Sequence, residues 1–172
     1  MVKDEITYRP VSWETVDAQG IPTDLEKTRM MLNACLGHKS LRFIPRKKPF
    51  EIVEIRQEWM ENNPALAHWI AIDEGSEEVI ASTHIGRAID DEHGKIAFLS
   101  VIVSPAFQGK GVGVTLCRLI IEDVLTTEAA VYVFTDMENM GMKKIVDKLA
   151  SHYLVHGPED RDGRSKYVVK DR

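Results

Sequence analysis

Apolar and polar positions follow two different periods along this chain, and the switches between them mark its elements. "EITYRP" alternates with period two and reads as a short first strand, which Pro10 stops. Between Ser12 and Asn63 the pattern is helical. The run "LEKTRMMLNACL" sets Leu25, Met31, Leu32 and Cys35 or Leu36 on one apolar face, with Thr23 or Asp24 placed to cap it and Gly37 to end it. A second helix, "PFEIVEIRQEWMENN", has a proline near its start and Ile52, Ile55, Trp59 and Met60 at helical spacing.

The texture then changes. "AHWIAID" and "EVIASTHIG" are β-type runs separated by "EGSE", which predicts a hairpin. After the turn "DDEHG" comes "KIAFLSVIV", whose nearly continuous apolar character predicts a strand covered on both faces. A helix from Gly111 to Leu125 follows, with Leu116, Leu119, Ile120 and Val124 on one side. "AAVYVF" is a strand, and "NMGMKKIVDKLA" is a helix with Met142, Ile145, Val146 and Leu149 at i, i+3, i+4 and i+7. The strands "HYLVHG" and "SKYVVK" close the chain around the polar turn "PEDRDGR". This order, with no internal repeat or linker, describes one α/β domain over residues 1–172 built on a mostly antiparallel sheet.

Composition narrows the partners. Twenty-two basic against 27 acidic residues leave a net charge of -5, which argues against a general nucleic-acid binder. No stretch approaches the roughly 18 apolar residues of a membrane span, and "MVKDEITYRP" lacks the apolar core of a signal peptide. Cys35 and Cys117 have no metal-type spacing or disulfide framework, and the six histidines show no ligand spacing. The expectation is a cytoplasmic, reduced protein without a metal.

Candidate chemistry concentrates where a strand hands over to a helix. Gly109, Gly111 and Gly113 stand at alternate positions there, although glycine loses more backbone freedom on ordering than any other residue. A helix start offers unpaired N–H groups and the positive end of the dipole, and small residues let an anion approach them. Lys110 adds positive charge, and no acidic side chain falls between Ser104 and Ile121. Two readings stay open at this point: a phosphate cradle, or a tight turn with glycines for packing. A P-loop is excluded because Gly111 follows Lys110, and a dinucleotide fingerprint because Val114 stands where its third glycine or alanine belongs.

The segment "VIVSPAFQGKGVG" resembles the acetyl-CoA signature of the GNAT (Gcn5-related N-acetyltransferase) superfamily. That signature is a hydrophobic strand ending Val-x-Pro, here Val103-Ser104-Pro105, then Gln108-Gly109-Lys110-Gly111-Val112-Gly113 opening a helix. The resemblance covers about residues 65–157 well and the N-terminal helices by position. It implies a mixed, mostly antiparallel sheet of about seven strands flanked by helices and splayed between the fourth and fifth strands. It also implies three regions: a first strand and acceptor-side helices (1–63), an acetyl-CoA-binding core (65–157) and a last hairpin strand (158–172). Backbone amides from Gln108 through Gly113, with Lys110 and Val112 among them, would cradle the pyrophosphate of coenzyme A. Val101, Ile102 and Val103 would pair with the pantetheine arm as another strand does. Asn139 would contact the cofactor or cap its helix. The implied activity is transfer of acetyl from acetyl-CoA to a primary amine by direct attack, and a homodimer through the last strands is common among such proteins. The alternative is an acyl-CoA-binding regulatory module on the same fold.

The catalytic positions depart from the family. Val146 stands where many members carry a tyrosine acid, and Ala97 where some carry a glutamate base. Tyr153 is the candidate replacement acid and His84 the candidate base, with an ordinary strand histidine as its plain alternative. Arg46, Lys47 and Lys48 could reach the 3′-phosphate of the cofactor or form a solvated loop. Cys117 reads as a buried, inert thiol.

Overall fold

Seven strands form one sheet in the order β1-β2-β3-β4-β5-β7-β6. The computed structural model describes residues 5–43, 46, 48–62 and 65–172. Lys47 of the basic cluster and Asn63, the expected end of the helical region, lie outside them. The strands are β1 (Ile6–Pro10), β2 (Ala67–Asp73), β3 (Glu78–Asp90), β4 (Gly94–Val103), β5 (Val131–Asp136), β6 (Leu154–Arg161) and β7 (Arg164–Lys170). Helix α1 (Thr23–Cys35) and α2 (Ile52–Glu54) lie between β1 and β2, α3 (Val112–Val124) joins β4 to β5, and α4 (Met140–Leu149) joins β5 to β6. Every neighbouring pair is antiparallel except β4 and β5, which run parallel.

The alternation along the strands sorts side chains onto two faces. One face packs Ile85, Ala97, Leu99, Val131, Val133 and Val169 against Cys117, Ile120 and Ile121 of α3 and Val146 and Leu149 of α4. The other packs Ile70 against Leu25, Met31 and Leu32 of α1 and against Ile55, Trp59 and Met60. Each fully buried leucine or isoleucine contributes about 1.5–3 kcal/mol relative to exposure. Leu25, Met31, Leu32, Ile120, Val146 and Leu149, which the periodicity singled out, thus anchor both layers, joined by Cys117 and Ile121, whereas Leu119 is only half-buried.

Three local expectations are corrected. Thr23 and Asp24 do not cap α1: both lie inside it, and no side chain caps it. Asp24 instead takes a bidentate pair from Arg9 of β1 at 2.5 and 2.9 Å and the Ser12 N–H at 2.8 Å, which serve its charge better than a cap would. The second helix is α-helical only over Ile52–Glu54, where Glu51 and Glu54 form a reciprocal cap, and continues as a π-helical segment over Ile55–Asn62. That wider turn brings Ile55, Trp59 and Met60 onto one flank. Finally, β6 runs through "PEDR", so that only Asp162 and Gly163 turn, both with positive φ. Glu159 and Asp160 pair with Lys166 and Ser165, because strand pairing uses the backbone and tolerates polar side chains.

The parallel pair positions the site. Strands β4 and β5 are joined only at Ala97–Val131 and Phe98–Tyr132, and from Leu99 onward they part. The expectation that "KIAFLSVIV" is covered on both faces therefore holds for Ile96, Ala97 and Leu99, which are buried, and fails from Ser100 to Val103. Those four are only half-buried because β5 has left their side.

Candidate active site

The notch between β4 and β5 ends at the glycine loop. Gln108 donates from Nε2 to the Val103 carbonyl at 3.0 Å, which ties the loop back onto the strand it leaves. Gly109 and Gly111 have φ of 75° and 83°, the left-handed region that side chains resist. A Cβ built on either meets nothing within 4 Å, so conformation and not crowding requires glycine there, and the space in front is open. Gly113 differs. It is helical, and its Cβ would stand 3.1 Å from Ile145 Cδ1 and 3.2 Å from Val103 Cγ2. Two glycines thus shape an open backbone turn, and the third lets α3 close on β4 and α4.

Helix α3 starts at Val112 with Gly111 at its N-cap and no side chain capping it. Its leading N–H groups and dipole therefore face the open loop, an arrangement suited to phosphate. The Lys110 ammonium lies 4.9 Å from the centroid of the Phe107 ring beside this loop. Asn139 caps α4, accepting at Oδ1 from the Met142 N–H at 3.1 Å, which is the cap half of its expectation. Arg46 is held by the Lys48 carbonyl at 2.7 Å and Glu54 at 2.5 Å, and lies over the Phe50 ring, so it belongs to its own loop.

Polar groups gather on the acceptor side of the same notch. His84 of β3 is directly opposite His68 on β2 and Ser100 on β4. Its ring centroid lies 6.0 Å from that of His68 and 6.3 Å from that of Phe98. Gly86 makes this possible: a Cβ there would come within 3.2 Å of the Phe98 ring. His68 Nε2 is 2.8 Å from Ser82 Oγ, whereas no hydrogen bond among the described residues engages the His84 ring. Burial lowers the pKa of both imidazoles, and the neighbouring His84 helps to push His68 down to about 3. Both are neutral at pH 7, and His84 retains a lone pair at the notch.

Tyr153 is not brought to this group. It is buried with the α3–α4 face, and its hydroxyl donates to the Arg118 carbonyl at 3.1 Å. Burial also raises its pKa, and its placement is that of a core residue that pins α3. Val146 and Ala97 sit in the same core. The Cys117 thiol is buried and pushed up to about 12, in keeping with an inert role. Sequence reading missed His68, Ser82, Phe98 and Ser100. The signal was present in part, since "AHW" and "STH" belong to one hairpin, but only its register puts the two histidines opposite each other.

A family model described as the acetyltransferase (GNAT) family matches residues 35–149, more than half of the chain. The chain belongs to the GNAT acetyltransferase family. No curated protein matches its sequence at a significant level. Solved structures carry the likeness further. A domain from Methanocaldococcus jannaschii has a TM-score of 0.67 at 14% identity, covering 98% of this chain and 99% of its own. The yncA protein of Salmonella typhimurium, solved with its cofactor acetyl-CoA, gives 0.64 at 16% identity over 95% of this chain and 90% of its own. A spermidine N-acetyltransferase from Vibrio cholerae, in complex with CoA and spermine, gives 0.59 at 17% identity over 98% and 94%. These identities establish the shared fold. The splayed β4–β5 pair and the open helix start of this GNAT domain are compatible with an extended thiol cofactor carrying phosphates, and the residues present fit that group.

Proposed function

We propose that this GNAT protein transfers acetyl from acetyl-CoA to a primary amine, with His84 as the base. The observation that carries the reading is the divergence of β4 from β5 at the strand that leads into the glycine loop. The β4 edge along Val101, Ile102 and Val103, which β5 no longer pairs and whose Val103 carbonyl Gln108 engages, suits an extended pantetheine arm, and the amides from Gln108 to Gly113, with those of Lys110 and Val112, suit its pyrophosphate. Acetyl-CoA supplies the activated acyl group. On the acceptor side, His84 takes a proton from the amine directly or through one water, while a strand N–H near Val103 polarises the acyl carbonyl. The new N–C bond forms as the C–S bond breaks, and solvent protonates the departing thiolate.

A second reading, an acyl-CoA-binding module with little turnover, draws on Val146 being buried in the core and on the Tyr153 hydroxyl being engaged by Arg118. Thermal unfolding with acetyl-CoA, desulfo-CoA, ATP and NAD tests the cofactor, and thiol release with a panel of amines tests turnover. A ligand at a hundred times its dissociation constant adds about 2.7 kcal/mol, a shift of several degrees for a domain of this size. Stabilisation by the two CoA ligands alone, with amine-dependent thiol release, is the expected result. No response to either CoA ligand overturns the proposal, and binding without thiol release leaves the second reading.

A further inference from the structure

A lysine lies buried on the acceptor-side face of the sheet, where packing alone would favour an apolar residue. The Lys166 side chain is 2% exposed, and lysine is rarely buried so far unless paired. It stands in register with Phe134 on β5 and with Glu159 on β6. Its ammonium lies 3.3 Å from the Glu159 carboxylate, its strand neighbour. A second carboxylate reaches it from a distant part of the chain. The tip of the β3–β4 hairpin sets Glu92 Oε2 3.5 Å from Lys166 Nζ and 2.5 Å from Arg161 Nη1.

The surroundings of this fork are mixed in charge. Asp90 lies 3.5 Å from Arg161 and 3.0 Å from His93 Nδ1, and the His93 ring lies tilted against that of Tyr132 with centroids 5.5 Å apart. Glu92 itself is more than half exposed, so its carboxylate enters the fork from the solvent side, as a dissolved carboxylate would. A pocket of about 350 Å³ opens beside Arg161, lined by Ile89, Phe134, Arg161 and Arg164 and by three aspartates, Asp90, Asp91 and Asp162. From there the stacked rings of Phe134 and Tyr132, 6.5 Å apart, lead back to Phe98, where β4 and β5 begin to part. Phe134 is two residues along from the vertex of the notch, roughly 7 Å by strand rise, and Lys166 is its partner on the next strand, roughly 5 Å further across.

We propose that Arg161 and Lys166 form the seat for a carboxylate on the amine acceptor, and that Glu92 occupies this seat until the acceptor displaces it. The acceptor class is then a small amino acid-like molecule, carrying its carboxylate several bonds from the amine that attacks. This inference rests on the acetyltransferase reading. It adds a positioning role for residues that touch neither the cofactor cradle nor His84.

Thiol release is measured with 4-aminobutanoate, 6-aminohexanoate and glutamate, each beside its carboxamide. At least one acid is expected to show a KM tenfold or more below that of its amide. Arg161→Gln and Lys166→Met should each raise that KM at least fivefold, leaving kcat and the amide kinetics unchanged, and Glu92→Gln should lower it. Arg161 is partly exposed, so its variant keeps the test open if Lys166→Met fails to fold. No preference for any acid over its amide, or a preference that survives Arg161→Gln, overturns the proposal. Acetylation of amides and acids alike would do so while leaving the acetyltransferase reading intact. Absence of all amine turnover would remove both.

Discussion

The two sides of the notch are built from different parts of the polypeptide. On the cofactor side, the proposed contacts come from one continuous stretch, Val101–Gly113, and they are main-chain contacts. Side chains there serve the loop itself: Gln108 ties it to Val103, and Gly113 lets α3 close on β4. On the acceptor side, the proposed groups, His68, His84, Phe98, Phe134 and Lys166, come from five strands and would act through their side chains. A site read through backbone needs only glycines and a helix start, whereas a site read through side chains can be refilled without altering the fold.

That contrast can be broken at its strongest point first. Gly111→Asp puts a side chain at φ 83° and a negative charge at the α3 N-terminus, both unfavourable to phosphate. Acetyl-CoA affinity, measured by calorimetry on the folded variant, is expected to fall by about a hundredfold or more. An unchanged dissociation constant would remove the backbone cradle and with it the comparison. On the acceptor side, His84→Gln is expected to lower kcat by about a hundredfold, at the low end for a lost general base, with acetyl-CoA affinity retained. Tyr153→Phe, by contrast, should leave turnover unchanged and reduce stability by about 1 kcal/mol through the bond to Arg118. Turnover lost in Tyr153→Phe but kept in His84→Gln would reverse the two assignments.

The remaining effect concerns pH. The folded-state pKa of His68 is pushed down to about 3, below its unfolded value near 6.5. Above pH 6.5 both states are neutral and the full stability is present. Between there and pH 3 the unfolded chain binds a proton that the folded chain does not, so stability falls as the medium is acidified, by up to about 1.4 kcal/mol per pH unit. Urea unfolding from pH 7 to pH 5 should show a shallower loss in His68→Phe than in the parent. Parallel curves would mean that His68 is not held neutral.

Much of the fold was legible because it depends on local pattern. The run "AHWIAID" agrees with β2 to the residue and "EITYRP" with β1 from Ile6 on, and Met142, Val146 and Leu149 of α4 are buried as their spacing implied. The misses share a cause. Asp24 looked like a cap until Arg9 was found beside it, and "PEDRDGR" looked like a turn until β7 was found pairing with it. In each case a partner distant in sequence outweighed the local preference. Tyr153 likewise takes a distant partner, its hydroxyl donating to a helix carbonyl 35 residues away.

By itself, the sequence determined the element order, the helical and strand faces and the glycine loop that places this chain among GNAT proteins. Those features follow from periodicity and from the φ values that only glycine adopts easily. Tertiary structure alone decided where β4 leaves β5, that His68 and His84 stand opposite each other, and that Glu92 reaches Lys166 across a separation of 74 in sequence. Strand register and hairpin curvature set those distances, and neither is written in any single segment of the chain.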